Sequence, residues 1–181
     1  MRPFQDRGSG RARRWLWLLL SALAVALDQL TKWLCVWYLK DVSSVTLIPG
    51  LLRLTYLENR GAAFGSLSEH RWVFMILSTA VIIAITVYLL GFAENNRWML
   101  WGLALILGGG VGNMIDRVAL GYVIDMIDFY GIWPYIFNVA DSCVCVGAGL
   151  LVLYCILSLR DEARDKKAAA DGDQTDGGGE A

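Results

Sequence analysis

Charge and histidine are scarce in this chain. Of 181 residues only 18% are Asp, Glu, Lys or Arg, and one, His70, is histidine. A lone imidazole leaves no Cys/His zinc site of usual spacing, and no metal or other cofactor is expected. The four cysteines, Cys35, Cys143, Cys145 and Cys155, all fall in apolar stretches, where thiols behave as small hydrophobes. Disulfides are not expected among them, and they leave the redox compartment open. A net charge of −1 gives no footing for nucleic acid as a partner. No internal repeat is visible, and there is no room for a second domain.

What the chain has instead is apolar bulk: 56% hydrophobic residues and a mean hydropathy of +0.48. Its charges crowd at the termini and in short connections, as in a small polytopic membrane protein. Four apolar runs, Trp15–Leu39, Trp72–Phe92, Trp98–Asp116 and Ile136–Leu159, each approach the roughly 20 residues that about 30 Å of hydrocarbon requires. The first run follows Arg11, Arg13 and Arg14 and contains Ala22, Ala24 and Ala26, so a cleaved signal peptide is one reading. Apolar character resumes at Trp33, which favours a retained helix. Residues 1–14 read as a flexible cytoplasmic lead, 15–159 as a membrane domain and 160–181 as a disordered cytoplasmic tail. Arg97 between runs two and three, and Arg160, Arg164, Lys166 and Lys167 after run four, place both termini in the cytoplasm.

Two connections then face the other side. Residues 40–71 hold β-branched and aromatic residues over Val42–Leu57 around a Pro49-Gly50 turn, which reads as a small hairpin or sheet. Whether this forms a cradle over the membrane or an ordinary structured loop is open on pattern alone. Residues 117–135 are aromatic and Gly-rich, with Trp133, Pro134 and Tyr135 suited to an interface.

Carboxylates at membrane depth are costly and mark function by default. Asp141 lies inside the fourth apolar run and Asp125 sixteen residues before it. Asn113, Asp116 and Arg117, at i, i+3 and i+4, share one helical face, as do Asn138 and Asp141. Gly108 and Gly112 form a small-xxx-small pair that admits a close neighbour. Each cluster also has a purely structural reading: a polar belt with Asp116 and Arg117 pairing locally, a solvated loop acid at Asp125, a bundle-facing glue at Asn138 and Asp141. Taken together they suggest two aspartates sharing one proton, one activating water and the other polarising a carbonyl. Asn113, Asn138 and Arg117 would orient them. Asp28 and Lys32, at i, i+4 in the first run, suggest an intramembrane ion pair.

These elements resemble the lipoprotein signal peptidases (type II signal peptidases), four-span bacterial aspartyl proteases. The resemblance rests on Asp28-Gln29-x-Thr31-Lys32, Glu58-Asn59-Arg60-Gly61-Ala62-Ala63-Phe64-Gly65, Gly112-Asn113-x-x-Asp116-Arg117, Val123-Ile124-Asp125 and Phe137-Asn138-Val139-Ala140-Asp141-Ser142. They occur in family order over roughly residues 15–158.

The resemblance implies an all-α membrane protein of four transmembrane helices with a small extracytoplasmic β-cradle at about residues 42–60. It implies Asp125 and Asp141 as the catalytic pair. Asn59, Asn113, Arg117, Asn138 and Ala140 would line the site or bind substrate, Asp28 and Lys32 would form a polar pair, and Asp116 would support Arg117. Arg60 receives no role. The implied reaction removes signal peptides from diacylglyceryl-modified prolipoproteins on the N-terminal side of the lipidated cysteine. Implied partners are those substrates, membrane lipid and globomycin-type inhibitors, for a monomer in the bacterial inner membrane.

Two rivals come from other classes. An ion-coupled transporter also uses intramembrane Asp, Asn and Arg, but four spans without a repeat are few for one. A Mg²⁺-dependent phosphatidyltransferase would use Asp116, Asp125 and Asp128, but the glycine it needs immediately after an aspartate follows none of these three.

Overall fold

The structure, a computed structural model, describes residues 7–61, 71–91 and 96–176, with side chains described for 15–61, 72–73, 75–91 and 96–167. Four helices occur among the described residues: α1 (Arg7–Leu39), α2 (Arg71–Gly91), α3 (Arg97–Ala119) and α4 (Val139–Asp176). Three of them carry stretches long and apolar enough to cross a membrane: Trp15–Leu39, Arg97–Ala119 and Val139–Lys167. The apolar part of α2, Met75–Gly91, is shorter.

Helix α3 is central and packs against the other three. Inside a bilayer apolar packing gains little from excluding water, so close approach and polar pairs must hold helices together. Both devices are present. A Cβ at Gly108 would lie 2.7 Å from the Ala24 Cβ, and one at Gly112 would lie 2.6 Å from Asp28 Oδ2. Only glycine lets α1 sit this close to α3, so the Gly108/Gly112 pair works as its spacing suggests. One turn further along, Ser21 Oγ donates to Ala104 O at 2.9 Å. Asn96 caps α3 by accepting from the Trp98 and Met99 N–H groups.

A four-stranded antiparallel sheet, ordered β1-β2-β3-β4, sits at one end of the bundle. Its strands are β1 (Ser44–Ile48), β2 (Leu52–Asn59), β3 (Val123–Asp128) and β4 (Ile136–Phe137). The Pro49-Gly50 turn joins β1 to β2, with Gly50 at φ 77° and Leu51 N bonded to Ile48 O. This is the hairpin expected from the first loop. The other half of the sheet is not, since residues 117–135 read only as an aromatic, Gly-rich connection suited to an interface. Gly121, at φ 84°, turns the chain out of α3 and straight into β3.

The apolar residues of β3 explain its place. Ile124 and Met126 are buried against Cys35 and Leu39 of α1, with Leu54 and Tyr56 of β2 packed beside them. The β2–β3 register sets Leu57 opposite Asp125 and Asn59 opposite Val123, after a bulge between Leu54 and Leu57.

Three boundaries differ from the sequence reading. Ile136 and Phe137 are strand, and α4 begins at Val139, because Asn138 caps the helix there. Helix α1 starts at Arg7 within the expected lead, and α4 continues to Asp176 where a disordered tail is expected from Arg160. Arg160–Ala170 is rich in Ala, Arg, Glu and Lys, good helix formers, and nothing in it breaks the helix. Of the Glu58–Gly65 motif, residues 62–65 lie outside the described residues.

Candidate active site

The sheet and the start of α4 bring Asp125 and Asp141 to one cavity of about 660 Å³. Strand β3 holds Asp125, strand β4 runs beside it, and the chain turns at Asn138 into α4. Asn138 and Asp141 cap each other: Asp141 N donates to Asn138 Oδ1 at 2.8 Å, and Asn138 N donates to Asp141 Oδ2 at 3.2 Å. This is the reciprocal arrangement of a capping box, with Asp in the place of Glu. It fixes the Asp141 carboxylate in the first turn of α4.

Two asparagine amides tie the pair together. Asn138 Nδ2 donates to Asp125 Oδ1 at 2.7 Å and to Asn113 Oδ1 at 3.0 Å. Asn113 Nδ2 donates to Asp141 Oδ1 at 2.7 Å. From β2, Asn59 Nδ2 donates to Asp125 Oδ2 at 2.8 Å, while its Oδ1 accepts from Gly61 N. Burial and then the nearby Asp141 charge push Asp125 up from the ordinary carboxylate range to about 6, against the amide donors of Asn59 and Asn138. The arrangement suits a carboxyl that keeps its proton up to about pH 6, well above the ordinary range, beside a second carboxylate that can take one.

A fully buried network lies behind the dyad. Lys32 Nζ contacts Asp28 Oδ2 at 2.8 Å, Asp116 Oδ2 at 3.0 Å and Asn113 Oδ1 at 3.0 Å. Asp28 Oδ1 accepts from Ala140 N at 2.8 Å; Ala140 itself is fully buried with its Cβ toward Gly112, and it is not among the cavity-lining residues. The Asp28–Lys32 pair is therefore real, and larger than its i, i+4 spacing suggests.

Asp116 requires a correction. The resemblance gives it to Arg117, but its carboxylate bonds Lys32, Gln29 Nε2 and Ile124 N. The buried Lys32 ammonium lies 3.0 Å from Asp116, while Arg117 lines the cavity. Arg117 instead donates to Asn113 O at 3.3 Å.

Several cavity residues escape sequence reasoning. Leu57, Ser78, Val144 and Cys145 line it, with Trp133, Tyr135 and Phe137 on its aromatic side. Trp133 stacks on Phe137 at 6.5 Å and meets Tyr135 edge-on at 6.2 Å. Cys145 lies one turn after Asp141, Trp133 and Tyr135 stand out in the sequence only as interface residues, and Phe137 only as part of a motif.

The acids that the transferase reading would gather do not converge. Asp116 faces Lys32, while Asp128 accepts from Arg53 Nε at 2.5 Å and from Thr55 Oγ1 at 3.2 Å. Among the described residues, no three carboxylate, thiol or imidazole groups meet at one point.

Comparison with known proteins agrees with this geometry. A family model described as "Signal peptidase (SPase) II" matches residues 20–157. The lipoprotein signal peptidase of Halalkalibacterium halodurans is 43% identical over 155 residues, covering 84% of this chain and 97% of that one. That of Caldanaerobacter subterraneus subsp. tengcongensis is 46% identical over 134 residues, covering 74% and 91%. A solved structure described as a bacterial membrane enzyme superposes with a TM-score of 0.73 at 31% identity, covering 81% of this chain and 90% of that chain.

Proposed function

Starting from a chain that belongs to the signal peptidase II family, we propose that it cleaves diacylglyceryl-modified prolipoproteins on the N-terminal side of the lipidated cysteine, with Asp125 and Asp141 as its catalytic dyad. The observation that carries the dyad is the pair of amides, Asn113 and Asn138, that bond each other and one aspartate each over a single cavity.

The chemistry follows from two carboxyls sharing one proton. Asp141, as carboxylate, takes a proton from a water while that water's oxygen attacks the scissile carbonyl carbon. Asp125, as the acid, donates a hydrogen bond to the carbonyl oxygen as it becomes an alkoxide. Collapse of the tetrahedral intermediate breaks the C–N bond, and the proton gained by Asp141 passes to the leaving amine of the cysteine. The signal peptide departs as a carboxylic acid and the lipidated cysteine becomes a free N-terminus. Arg117 and Asn59 flank the substrate backbone, and the aromatic side of the cavity faces its apolar residues.

In this reading α1 to α4 all cross the inner membrane and both termini are cytoplasmic. The sheet is an extracytoplasmic cradle resting on the membrane surface, and the substrate enters sideways from lipid. The chain works as a monomer, and globomycin-type inhibitors occupy the same cavity.

The test is mass analysis of products from a synthetic prolipoprotein, with and without the diacylglyceryl group. Cleavage directly before the cysteine, only in the lipidated form, supports the proposal. Equal cleavage of both forms, or a cut elsewhere, removes it.

A further inference from the structure

Lys32 is buried to 2% exposure in the middle of α1 and has no place in the reaction just described. An ammonium has three hydrogens to donate and nothing to accept with. Here the three are directed at Asp28 Oδ2, Asp116 Oδ2 and Asn113 Oδ1.

The third contact decides which way round an amide sits. Because Lys32 can only donate, the Asn113 oxygen must face it, and the Asn113 nitrogen must face the other way. That nitrogen is the donor to Asp141 Oδ1. The same oxygen accepts from Asn138 Nδ2, so the Asn138 amide is oriented too. Its nitrogen then reaches Asp125, and its oxygen is left to accept from Asp141 N. Reversing Asn113 would set an NH2 group against the ammonium and a carbonyl oxygen against the Asp141 carboxylate. The cation on α1 opposes that flip from one side and the Asp141 carboxylate from the other.

We propose that Lys32 is a positioning residue: through Asn113 it sets the donor polarity of both asparagine amides, and so the facing geometry of Asp125 and Asp141. The proposal rests on the dyad reading above and assigns Lys32 a role beyond pairing with Asp28.

Charge balance and positioning can be separated. One ammonium faces two carboxylates, Asp28 and Asp116, so Lys32→Met alone leaves two buried anions uncompensated. Asp28→Asn removes one of those charges and keeps a carbonyl oxygen for Ala140 N. The Lys32→Met, Asp28→Asn double variant therefore has the net charge of the native cluster but no donor to Asn113.

The experiment is a double-mutant cycle in the Asp28→Asn background, with Lys32→Met and Asn113→Ala alone and together. The full chain is purified in detergent, checked by thermal melting, and given a diacylglyceryl-modified prolipoprotein peptide. Lys32→Met is expected to lower kcat about 100-fold with little change in KM, the scale of a misplaced catalytic group. Combined with Asn113→Ala it should cost less than about threefold more, since both changes remove one chain of contacts. Native kcat in the Lys32→Met, Asp28→Asn protein, or losses that multiply, would overturn the proposal. If the Met variant does not melt cooperatively, the same cycle is run with Lys32→Leu, which also lacks a donor to Asn113, and there non-additivity supports and multiplication overturns. An Asp141→Asn control keeps the two readings apart, because turnover there counts against the dyad and not against Lys32.

Discussion

Asn138 stands between the two aspartates, holding Asp125 Oδ1 with its side-chain nitrogen at 2.7 Å and Asp141 N with its side-chain oxygen at 2.8 Å. One residue is thus both the cap of α4 and the bridge of the dyad.

These two duties can be pulled apart. Asn138→Ser keeps a good cap but not a side-chain NH2, so the melting temperature should stay within a few degrees while kcat drops roughly 100-fold. Asn138→Ala should lose the same activity and also about 1 kcal/mol of stability. A Ser variant with native turnover would show that the bridge is idle.

Asp125 makes stability depend on pH in an unusual direction. Its pKa in the folded protein, about 6, lies above the ordinary 3.8, so the native state binds the extra proton between those values. Its contribution to stability is therefore fullest below about pH 4 and is lost as pH rises through about 6. Asp125→Asn removes the buried charge and should melt higher than wild type at pH 7.5, by an amount on the order of 1–3 kcal/mol. The gap should close toward pH 4. A gap of the opposite sign at pH 7.5 would refute the assignment of Asp125 as the proton holder.

The same titration shapes activity. The proposed mechanism needs Asp125 protonated in the free enzyme, so kcat/KM should decline as pH rises past about 6. Asn59→Ala removes a donor that favours the ionised form, and should move that decline to higher pH. Initial rates at low substrate concentration across pH 5 to 9, in about half-unit steps, would show it. An unmoved limb would mean that Asn59 does not act on Asp125.

The α1–α3 contact gives a prediction about packing alone. At Gly112 an added methyl would press on Asp28 Oδ2, and at Gly108 on Ala24. Gly112→Ala should cost about 1–3 kcal/mol, the range for overpacking a tight core, and Gly108→Ala a similar amount. Thermal melting in detergent checks this, and native stability in both variants would contradict the close approach.

How much of this was legible in the sequence depends on how local each cause is. Asp141 stands out because an acid within a long apolar run has few innocent explanations. The Pro49-Gly50 turn declares its hairpin, and Gly108 and Gly112 declare a close neighbour. Strand β3 does not declare itself, because Asp125 and Asp128 interrupt its apolar pattern and its partner β2 lies far away in sequence. Its acids are tolerated because Asn59, Asn138, Arg53 and Thr55 meet them, and those partners come from other elements. The Lys32–Asp116 contact was hidden for the same reason: spacing along α1 reveals Asp28 and nothing across the bundle. The start of α4 was readable in principle, since Asn138-Val-Ala-Asp141 is a capping-box pattern, but the apolar Ile136 and Phe137 drew the boundary too early.

The most direct test of the dyad is turnover of a diacylglyceryl-modified prolipoprotein by wild type, Asp125→Asn and Asp141→Asn, each folded and each with EDTA present. Both variants should lose at least about 1,000-fold in kcat, as expected when a general acid or base is removed from a coupled pair, and EDTA should leave wild type unchanged. Near-native turnover in either variant, or loss of wild-type activity in EDTA, would contradict a metal-free pair of aspartates at this site.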